Sequence, residues 1–290
     1  MDNKMEELNK SKKIYDNLRI TGIIISILGV ILAFVLIRPT EKALIYLSFF
    51  IGVGPGLLVF LYAKSEVKKI SNQFKLMYVK TEIEKRIPGS TFSPTTGIDQ
   101  EIVKNSKLIT LHEIYKTEDL IEGKINDVDF RCADVLVRDV RRSGKHTTVV
   151  TTFQGRFYEF DFPKTFKSNV FLLQPGQFRP FSGMKKMKME SIEFNSEFKI
   201  YTNDDHDTFY ILTPQLMEKL LVLDNKYQDK IGFSFLNSKL FIAIDSRVDT
   251  FDVMGYGDIT NKDVDKSVEE IENLIEFVEY LQLDDTLFKK

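Results

Sequence analysis

Two uncharged, apolar stretches near the N-terminus constrain this 290-residue chain more than any other feature. The first, residues 20–37, is long enough as a helix, at about 1.5 Å per residue, to reach across a hydrocarbon layer about 30 Å thick. The second, residues 43–63, is also uncharged and slightly longer. The link between them is polar and contains Pro39, which stops a helix. The pattern predicts a transmembrane helical hairpin over residues 20–63.

The flanks of these stretches bear on processing and orientation. A cleaved signal peptide would carry small residues at a cleavage site after a short apolar region, whereas here a mixed-charge tail, residues 1–19, precedes the first stretch. We therefore expect the hairpin to be retained. Basic residues favour the cytoplasmic side of a membrane, and they flank both outer ends of the hairpin: Lys10, Lys12, Lys13, Arg19, Lys64, Lys68 and Lys69. The pattern predicts a multi-pass protein of the cell membrane with two spans, a cytoplasmic N-terminal tail and both termini in the cytoplasm.

Small residues in the second stretch indicate how the two helices pack. Gly52 and Gly56 are four residues apart, a spacing that lets a neighbouring helix approach closely, and Pro55 between them is expected to kink the helix. We interpret these residues as the contact surface through which the second membrane helix packs against the first span. A channel or small transport component is the alternative, but neither stretch contains an ionisable residue to line an ion path.

An amphipathic helix follows the membrane segment. Apolar residues recur there at steps of three and four among charged side chains: Val67, Ile70, Phe74 and Met77. This spacing predicts a stalk helix over residues 64–88. Irregular sequence rich in Pro, Gly and Ser then marks a boundary, so residues 89–260 are expected to form a cytoplasmic domain. An apolar stripe opposite glutamates predicts a C-terminal amphipathic helix within residues 261–290.

Strand patterns dominate the region between the stalk and the C-terminal helix. Runs with period two or many aromatic and β-branched residues lie at residues 127–140, 147–162, 169–173, 192–201, 207–212, 231–235 and 240–244. The first two and the last two runs are joined by short turns and predict β-hairpins. Thr213 and Pro214 are a typical cap and first turn of a helix. We therefore expect an α+β fold: a two-helix transmembrane hairpin, a stalk helix, then a mostly antiparallel β-sheet with one or two packed helices.

A series of short motifs gives a family resemblance. They are NSKL at residues 105–108, EDLIEGK at 118–124, FQGRFY at 153–158, FKIYT at 198–202, YILTP at 210–214, FSF at 233–235 and LFIAI at 240–244. With the anchor layout, the chain resembles a bacterial membrane-anchored family known as domain of unknown function 3137. The resemblance implies a two-helix anchor joined to this domain. Because the family has no established activity, it implies no catalytic residue.

Composition excludes one class of partner and offers little catalytic chemistry. A formal net charge of −2 argues against a nucleic-acid-binding protein. Cys132 lies in an alternating run and is interpreted as a packed thiol rather than a nucleophile. His112 and Glu113 begin like a zinc-protease motif, but Lys116 stands where the second histidine is required. We therefore predict no cofactor, no metal site and no catalytic residue.

Acidic residues supply two alternatives to that interpretation. Residues 203–207 gather carboxylates beside an imidazole, which suits a divalent cation, but such sequence between strands is more typical of a turn. The alternative function is a membrane-tethered enzyme, hydrolase-like, whose acid–base groups would come from Asp127, Asp129, Asp204 and Asp207.

Two basic clusters are the candidate sites of lipid or partner contact. One lies at the tip of the first hairpin and the other among methionines: Arg138, Arg141, Arg142, Lys145, Lys185, Lys186 and Lys188. Each basic residue near an anionic bilayer contributes about 1 kcal/mol, although a solvated turn and loop would look the same in sequence. We interpret the chain as a membrane-anchored binding or scaffold module. Its partners would be the bilayer and either anionic lipid headgroups or a membrane-associated protein, and homo-oligomerisation stays open.

Overall fold

The chain forms two compact units in a computed structural model that describes residues 3–37, 42–144, 146–161, 168–176, 178, 183–227 and 229–281. Residues 1–79 and 252–266 form the first, here called the anchor unit, and residues 80–251 and 267–290 form the second, the sheet unit. Long helices dominate the first unit and an antiparallel sheet with a few helices forms the second, so the predicted α+β fold is confirmed.

Two long helices make up most of the anchor unit. Helix α1 (Asn3–Ile37) and helix α2 (Lys42–Phe74) are both long and apolar enough to cross a membrane. Large apolar side chains such as Leu28 and Leu58 are more than half exposed along them. Exposure of that kind is costly in water and normal in lipid. A π-helical turn (Lys75–Val79) and α3 (Lys80–Arg86) continue α2, so the predicted stalk helix is the extension of the second apolar helix.

Glycines allow α1 and α2 to approach closely. A Cβ atom added at Gly52 would lie 2.6 Å from the carbonyl carbon of Gly29, and one at Gly22 would lie 2.7 Å from the carbonyl oxygen of Gly56. Real Cβ atoms do not tolerate such distances from backbone, so these positions require glycine. Gly54, in the same helix, has no atom within 4 Å of such a Cβ. Pro55 lies inside α2.

One antiparallel sheet is the framework of the sheet unit, and among the described residues it contains nine strands in the order β1-β2-β3-β4-β9-β8-β5-β7-β6. The strands are β1 (Thr91–Ser93), β2 (Ile114–Ile125), β3 (Val128–Ser143), β4 (His146–Asp161), β5 (Val170–Leu173), β6 (Lys185–Met187), β7 (Lys199–Thr202), β8 (Lys230–Leu236) and β9 (Lys239–Asp245). The helices are α4 (Gln100–Ser106), α5 (Ile192–Glu197), α6 (Asp205–Ile211), α7 (Pro214–Lys226) and α8 (Asn261–Leu281).

Apolar side chains cover both faces of the sheet, because strand residues alternate between its two sides. On one face, Phe157 and Phe241 join a core that includes Val103 of α4. On the other, the ring of Phe277 in α8 lies 5.1 Å from that of Tyr158 and 5.5 Å from that of Tyr227. Burial of side chains on both sides accounts for the runs rich in aromatic and β-branched residues in the sequence.

Several predicted elements are confirmed. Strands β3 and β4 form the first hairpin and β8 and β9 the second. Thr213 caps α7, since its hydroxyl accepts a hydrogen bond from the N–H of Leu216 at 3.2 Å. The ends of two predicted elements, at Phe162 and at residues 282–290, lie outside the described residues.

Two predicted strands are wrong. Residues 192–197 form α5, which Ser191 begins by accepting a hydrogen bond from the N–H of Phe194 at 3.2 Å, and only β7 follows as strand. Residues 207–212 fall mostly within α6, which Asp204 caps by accepting from the N–H of His206 at 2.9 Å. In both places the cap satisfies an N–H group that a helix leaves without a partner, and this outweighs the strand preference of the aromatic residues.

Candidate functional site

The β3–β4 hairpin extends beyond the neighbouring strands as a two-stranded arm, residues 139–150. Strand β2 pairs with β3 only as far as Ile114 opposite Arg138, and β9 pairs with β4 only as far as Ile244 opposite Arg156. From Asp139 opposite Val150 to the turn, the two arm strands pair with each other. Two-stranded ribbons that leave a sheet expose most side chains, and those from Arg141 to Val149 in the described part are largely exposed.

The basic residues of the first predicted cluster do not form one patch. Arg141 shares a face of the ribbon with Asp139, whereas Arg138 and Arg142 point to the opposite face, because neighbouring strand residues alternate. The Arg141 side chain is 63% exposed and its Nε lies 2.8 Å from Asp139 Oδ2. Lys145 lies outside the described residues.

A cavity of about 380 Å³ opens at the base of the arm. That volume is within the range of small-molecule sites. Its lining combines apolar, polar and charged side chains: Leu108, Ile109, Thr110, His112, Asp139, Arg141, Val150, Thr151, Thr152, Phe153, Gly176, Phe178 and Arg247. Arg247, from the loop after β9, adopts a left-handed backbone at φ 59°. Arg247 belongs to no sequence motif, and only the pairing of β9 with β4 brings it to the cavity.

Side-chain contacts fix the polar groups in and around this cavity. His112 Nδ1 lies 3.7 Å from Asp139 Oδ1. Arg247 donates to the carbonyl oxygen of Thr151 at 3.0 Å and pairs with Asp245 at 2.9 Å. Burial raises the pKa of the Asp245 carboxyl. A hydrogen bond from the N–H of Val140 lowers the pKa of Glu113.

The second basic cluster lies at a sheet edge. Lys185 and Lys186 belong to β6, the last strand in the sheet order, and Lys188 follows it; all three are exposed. Lys185 Nζ lies 3.3 Å from Asp205 Oδ2. Strands β9, β8, β5 and β7 separate β6 from the arm in the sheet order, so the structure does not bring the two predicted clusters together.

The acidic residues proposed for catalysis have other positions and partners. Asp204 caps α6, and Asp207 donates its N–H to that cap, so residues 205–207 begin a helix and the predicted turn between two strands is limited to residues 203–204. Asp127 lies in the β2–β3 turn with φ 66°, and Asp129 pairs with Lys124 at 3.3 Å.

Two further groups of acidic residues, one with a histidine, come together in the fold from distant parts of the sequence. His112, Glu113 and Asp139 place one potential ligand atom each within 4.8 Å of one another, and so do Asp119, Asp134 and Asp249. In the second group Asp134 accepts from the N–H of Thr250 at 2.8 Å and pairs with Arg156 at 3.2 Å. These partners give Asp134 a structural role.

Cys132 is packed beneath this ion pair. The thiol is fully buried, with its sulfur 3.5 Å from a guanidinium nitrogen of Arg156. Burial raises the pKa of the Cys132 thiol, which disfavours the reactive thiolate. The geometry agrees with a packed thiol.

The anchor unit contains a buried charged cluster at the base of α1. Lys12 is 2% exposed, and its Nζ donates to Asp16 at 2.9 Å, to the carbonyl oxygen of Gly257 at 2.6 Å and to that of Gly255. Arg19 donates to Asp16 and to the carbonyl oxygen of Met254, both at 3.0 Å. A buried charge is tolerated only with such partners.

The segment that these cations hold comes from the far end of the chain. Residues 252–260, here called the latch segment, have no regular secondary structure and pack in the anchor unit. Asn9 exchanges two hydrogen bonds with the backbone of Ile259, at 2.9 and 2.7 Å. Ser71 of α2 donates to Asp252 at 2.8 Å. The predicted basic signature before the first span therefore includes two structural cations, Lys12 and Arg19.

Comparison with known proteins gives a match to one family model over part of the chain and a distant similarity to one solved structure. Residues 151–283 match the model of a family described as "Protein of unknown function (DUF3137)". The match agrees with the predicted resemblance over residues 151–283, and the motifs at residues 105–108 and 118–124 lie outside it. No curated protein matches the chain. A solved structure that is similar is the crystal structure of the mycobacterial trehalose monomycolate transport factor A, TtfA, at 7% identity and a TM-score of 0.39, over 70% of this chain and 93% of that chain.

Proposed function

We propose that this chain, with its DUF3137 match, is a membrane-anchored binding module that contacts anionic lipid headgroups through the β3–β4 arm. The exposed cationic arm is the observation that carries the proposal. By sequence the arm holds three basic residues against one acidic residue, on both faces of the ribbon.

The anchor unit supports the membrane part of the proposal. Apolar side chains line the outside of α1 and α2, and the glycines that face each other between the helices favour a hairpin. In this proposal the hairpin crosses the cell membrane twice with both termini in the cytoplasm, since basic residues flank its outer ends. A reporter enzyme fused after Lys290 that is active only outside the cell should be silent, and activity there would reverse the orientation.

Tethering explains why a weak lipid site would be sufficient. A domain attached to a membrane helix meets the bilayer at high effective concentration, so two or three exposed cations can hold it. Val149 on the arm is 51% exposed and pairs with Val140, so it adds an apolar contact on the face of the ribbon that carries Arg142.

Vesicle binding by the full-length chain in phosphatidylcholine nanodiscs tests the arm. Vesicles of phosphatidylcholine with phosphatidylglycerol should bind, and vesicles of phosphatidylcholine alone should not. Each cation contributes about 1 kcal/mol, so the double variant Arg141→Glu/Arg142→Glu should bind about 30-fold less, or weaker still. The same reversal at Lys185 and Lys186 measures the second cluster.

A matched control separates local contact from total charge. Lys104→Glu/Lys116→Glu changes the net charge equally at two exposed positions away from the arm, and it should bind nearly as the wild type. Equal loss in both double variants, or equal binding to neutral vesicles, overturns the lipid assignment. If the lipid assignment fails, a photoreactive group placed at Val149 tests the other partner class. A specific protein crosslink from that position would assign the arm to a protein partner.

One observation favours a second candidate, a membrane-tethered enzyme. His112 lies beside Asp139 in a cavity, and an imidazole next to a carboxylate is an arrangement used for general base catalysis. A panel of ester and phosphoester substrates tests it on the full-length chain. Turnover that is lost in His112→Ala and kept in His146→Ala, an exposed histidine of the arm, would favour the enzyme; absence of turnover retains the binding module.

A further inference from the structure

The latch segment brings an aromatic side chain to the point where the apolar part of α1 begins. The guanidinium carbon of Arg19 lies 4.2 Å from the centre of the Tyr256 ring. Arg19 directly precedes Ile20, the first residue of the uncharged stretch. The ring of Tyr256 is nonetheless 55% exposed, so contact with Arg19 covers only part of it.

Helix α2 marks the same depth along the hairpin, the boundary of the apolar stretches, independently of α1. The Arg19 guanidinium also lies 6.0 Å from the ring of Phe60, which is three residues from the end of the second uncharged stretch. Tyr62, at that same end, is 56% exposed and its ring lies 6.3 Å from that of Tyr15. Both apolar stretches therefore end where Tyr256 lies.

Hydrogen bonds fix the latch segment at this level. Arg19 holds the carbonyl oxygen of Met254, and Lys12 holds those of Gly255 and Gly257 on either side of the tyrosine. Withdrawal of Tyr256 would leave these two buried cations without those oxygen partners. The ring is thus held at one depth along α1.

We propose that the latch segment is a third membrane-contacting element, with Tyr256 in the headgroup layer of the bilayer. Tyrosine suits that layer, because its ring is apolar and its hydroxyl remains in contact with water. The inference rests on the proposed function in one respect: the hairpin must lie in a bilayer. It adds that a segment about 190 positions after the second apolar stretch lies at the surface of the same bilayer.

Tryptophan quenching tests the depth of the latch segment, and the chain contains no tryptophan of its own. Tyr256→Trp in the full-length chain is reconstituted into phosphatidylcholine bilayers with doxyl-labelled lipid. The label is placed near the headgroup in one sample and near the end of the acyl chain in another. The emission should fall more with the shallow label than with the deep one, and its maximum should shift to the blue relative to that of the unfolded chain.

Two reporters on α1 calibrate the measurement. Leu28→Trp, an exposed position eight residues into the apolar stretch, should be quenched more by the deep label. Glu7→Trp is thirteen residues before Ile20, about 20 Å along the helix, and should keep its emission. Asp258→Trp, exposed in the same latch segment, serves if tryptophan at position 256 disturbs the packing.

The outcomes separate this inference from the proposed function. If the tryptophan at position 28 is quenched but those at positions 256 and 258 are as unquenched as the one at position 7, the inference is wrong and the anchor remains in place. Unquenched emission at position 28 overturns the anchor itself. Shallow quenching at position 256 or 258, together with deep quenching at position 28, supports both.

Discussion

Replacing Asp16 with alanine removes a carboxylate that two buried cations share. Lys12 and Arg19 lie 2.9 and 3.0 Å from its two oxygens, and all three side chains are about nine-tenths buried or more. Loss of one partner of a buried ion pair lowers the free energy of unfolding by about 3–5 kcal/mol, because the remaining charge stays desolvated. Both cations keep carbonyl partners in the latch segment, so we expect the lower end of that range, about 3 kcal/mol.

The same reasoning predicts a smaller effect for Lys12→Met. Asp16 would keep Arg19 as its partner, and the methionine side chain would fill most of the space that the lysine leaves. The carbonyl oxygens of Gly255 and Gly257 would lose their donor, so a loss of about 2 kcal/mol in the free energy of unfolding is expected. Glu6→Ala is the control, because Glu6 forms an exposed pair with Lys10 at the same i, i+4 spacing and should change stability by less than about 0.5 kcal/mol.

Hydrogen exchange of the latch segment measures these costs directly. The N–H of Ile259 is bound to Asn9, so its exchange requires the segment to open. At about 1.4 kcal/mol per tenfold change, Asp16→Ala should lower protection of residues 252–260 by about two orders of magnitude in the full-length chain in nanodiscs. Unchanged protection in Asp16→Ala, with α1 still folded, would refute the argument that the shared carboxylate holds the segment.

The remaining predictions concern the sheet and the helix contact. Cys132 should resist iodoacetamide until the sheet unit opens, because the thiol is buried. Burial also raises the pKa of the folded thiol, so the thiol of the unfolded chain ionises first as the pH rises. The free energy of unfolding, measured by thermal unfolding at several pH values, should therefore fall above the ordinary thiol pKa of 9.0. Arg156→Met should cost about 3–5 kcal/mol in chemical denaturation, since it leaves buried Asp134 without its cation. Gly52→Leu should weaken α1–α2 packing in an inter-helix disulfide crosslinking assay, by about 1–3 kcal/mol, whereas Gly54→Leu should not.

Local patterns were enough to predict the parts of the fold that rest on local chemistry. The β3–β4 and β8–β9 hairpins follow from alternation, and the cap at Thr213 follows from one hydroxyl and one proline. Strand β2 was missed because Asp119, at φ 61°, interrupts its register between Glu118 and Ile121 and breaks the period of two. A bulge of that kind leaves no clear signal in a single sequence.

The candidate sites divide in the same way. Alternation along a strand is enough to place Arg141 and Arg142 on opposite faces of the arm, so the split of the basic cluster was within reach of the sequence. The cavity was not, because Arg247 reaches it only through its hydrogen bond to Thr151 across 96 positions of the chain. The bond between Asn9 and Ile259 spans 250 positions. Contacts of that range depend on the whole fold.

The latch segment shows that charged residues in the N-terminal half of α1 have a structural role. A segment without helix or strand must satisfy its buried N–H and C=O groups with side chains. Here the cations Lys12 and Arg19 take the carbonyl oxygens, and Asn9 and Ser71 accept from the N–H groups of Ile259 and Val253. An exposed surface lysine could be exchanged for arginine without loss, but Lys12 could not, because the planar guanidinium cannot replace one ammonium among three oxygens. Position and chemistry at the base of α1 are therefore set by a segment of the chain that lies some 240 residues later.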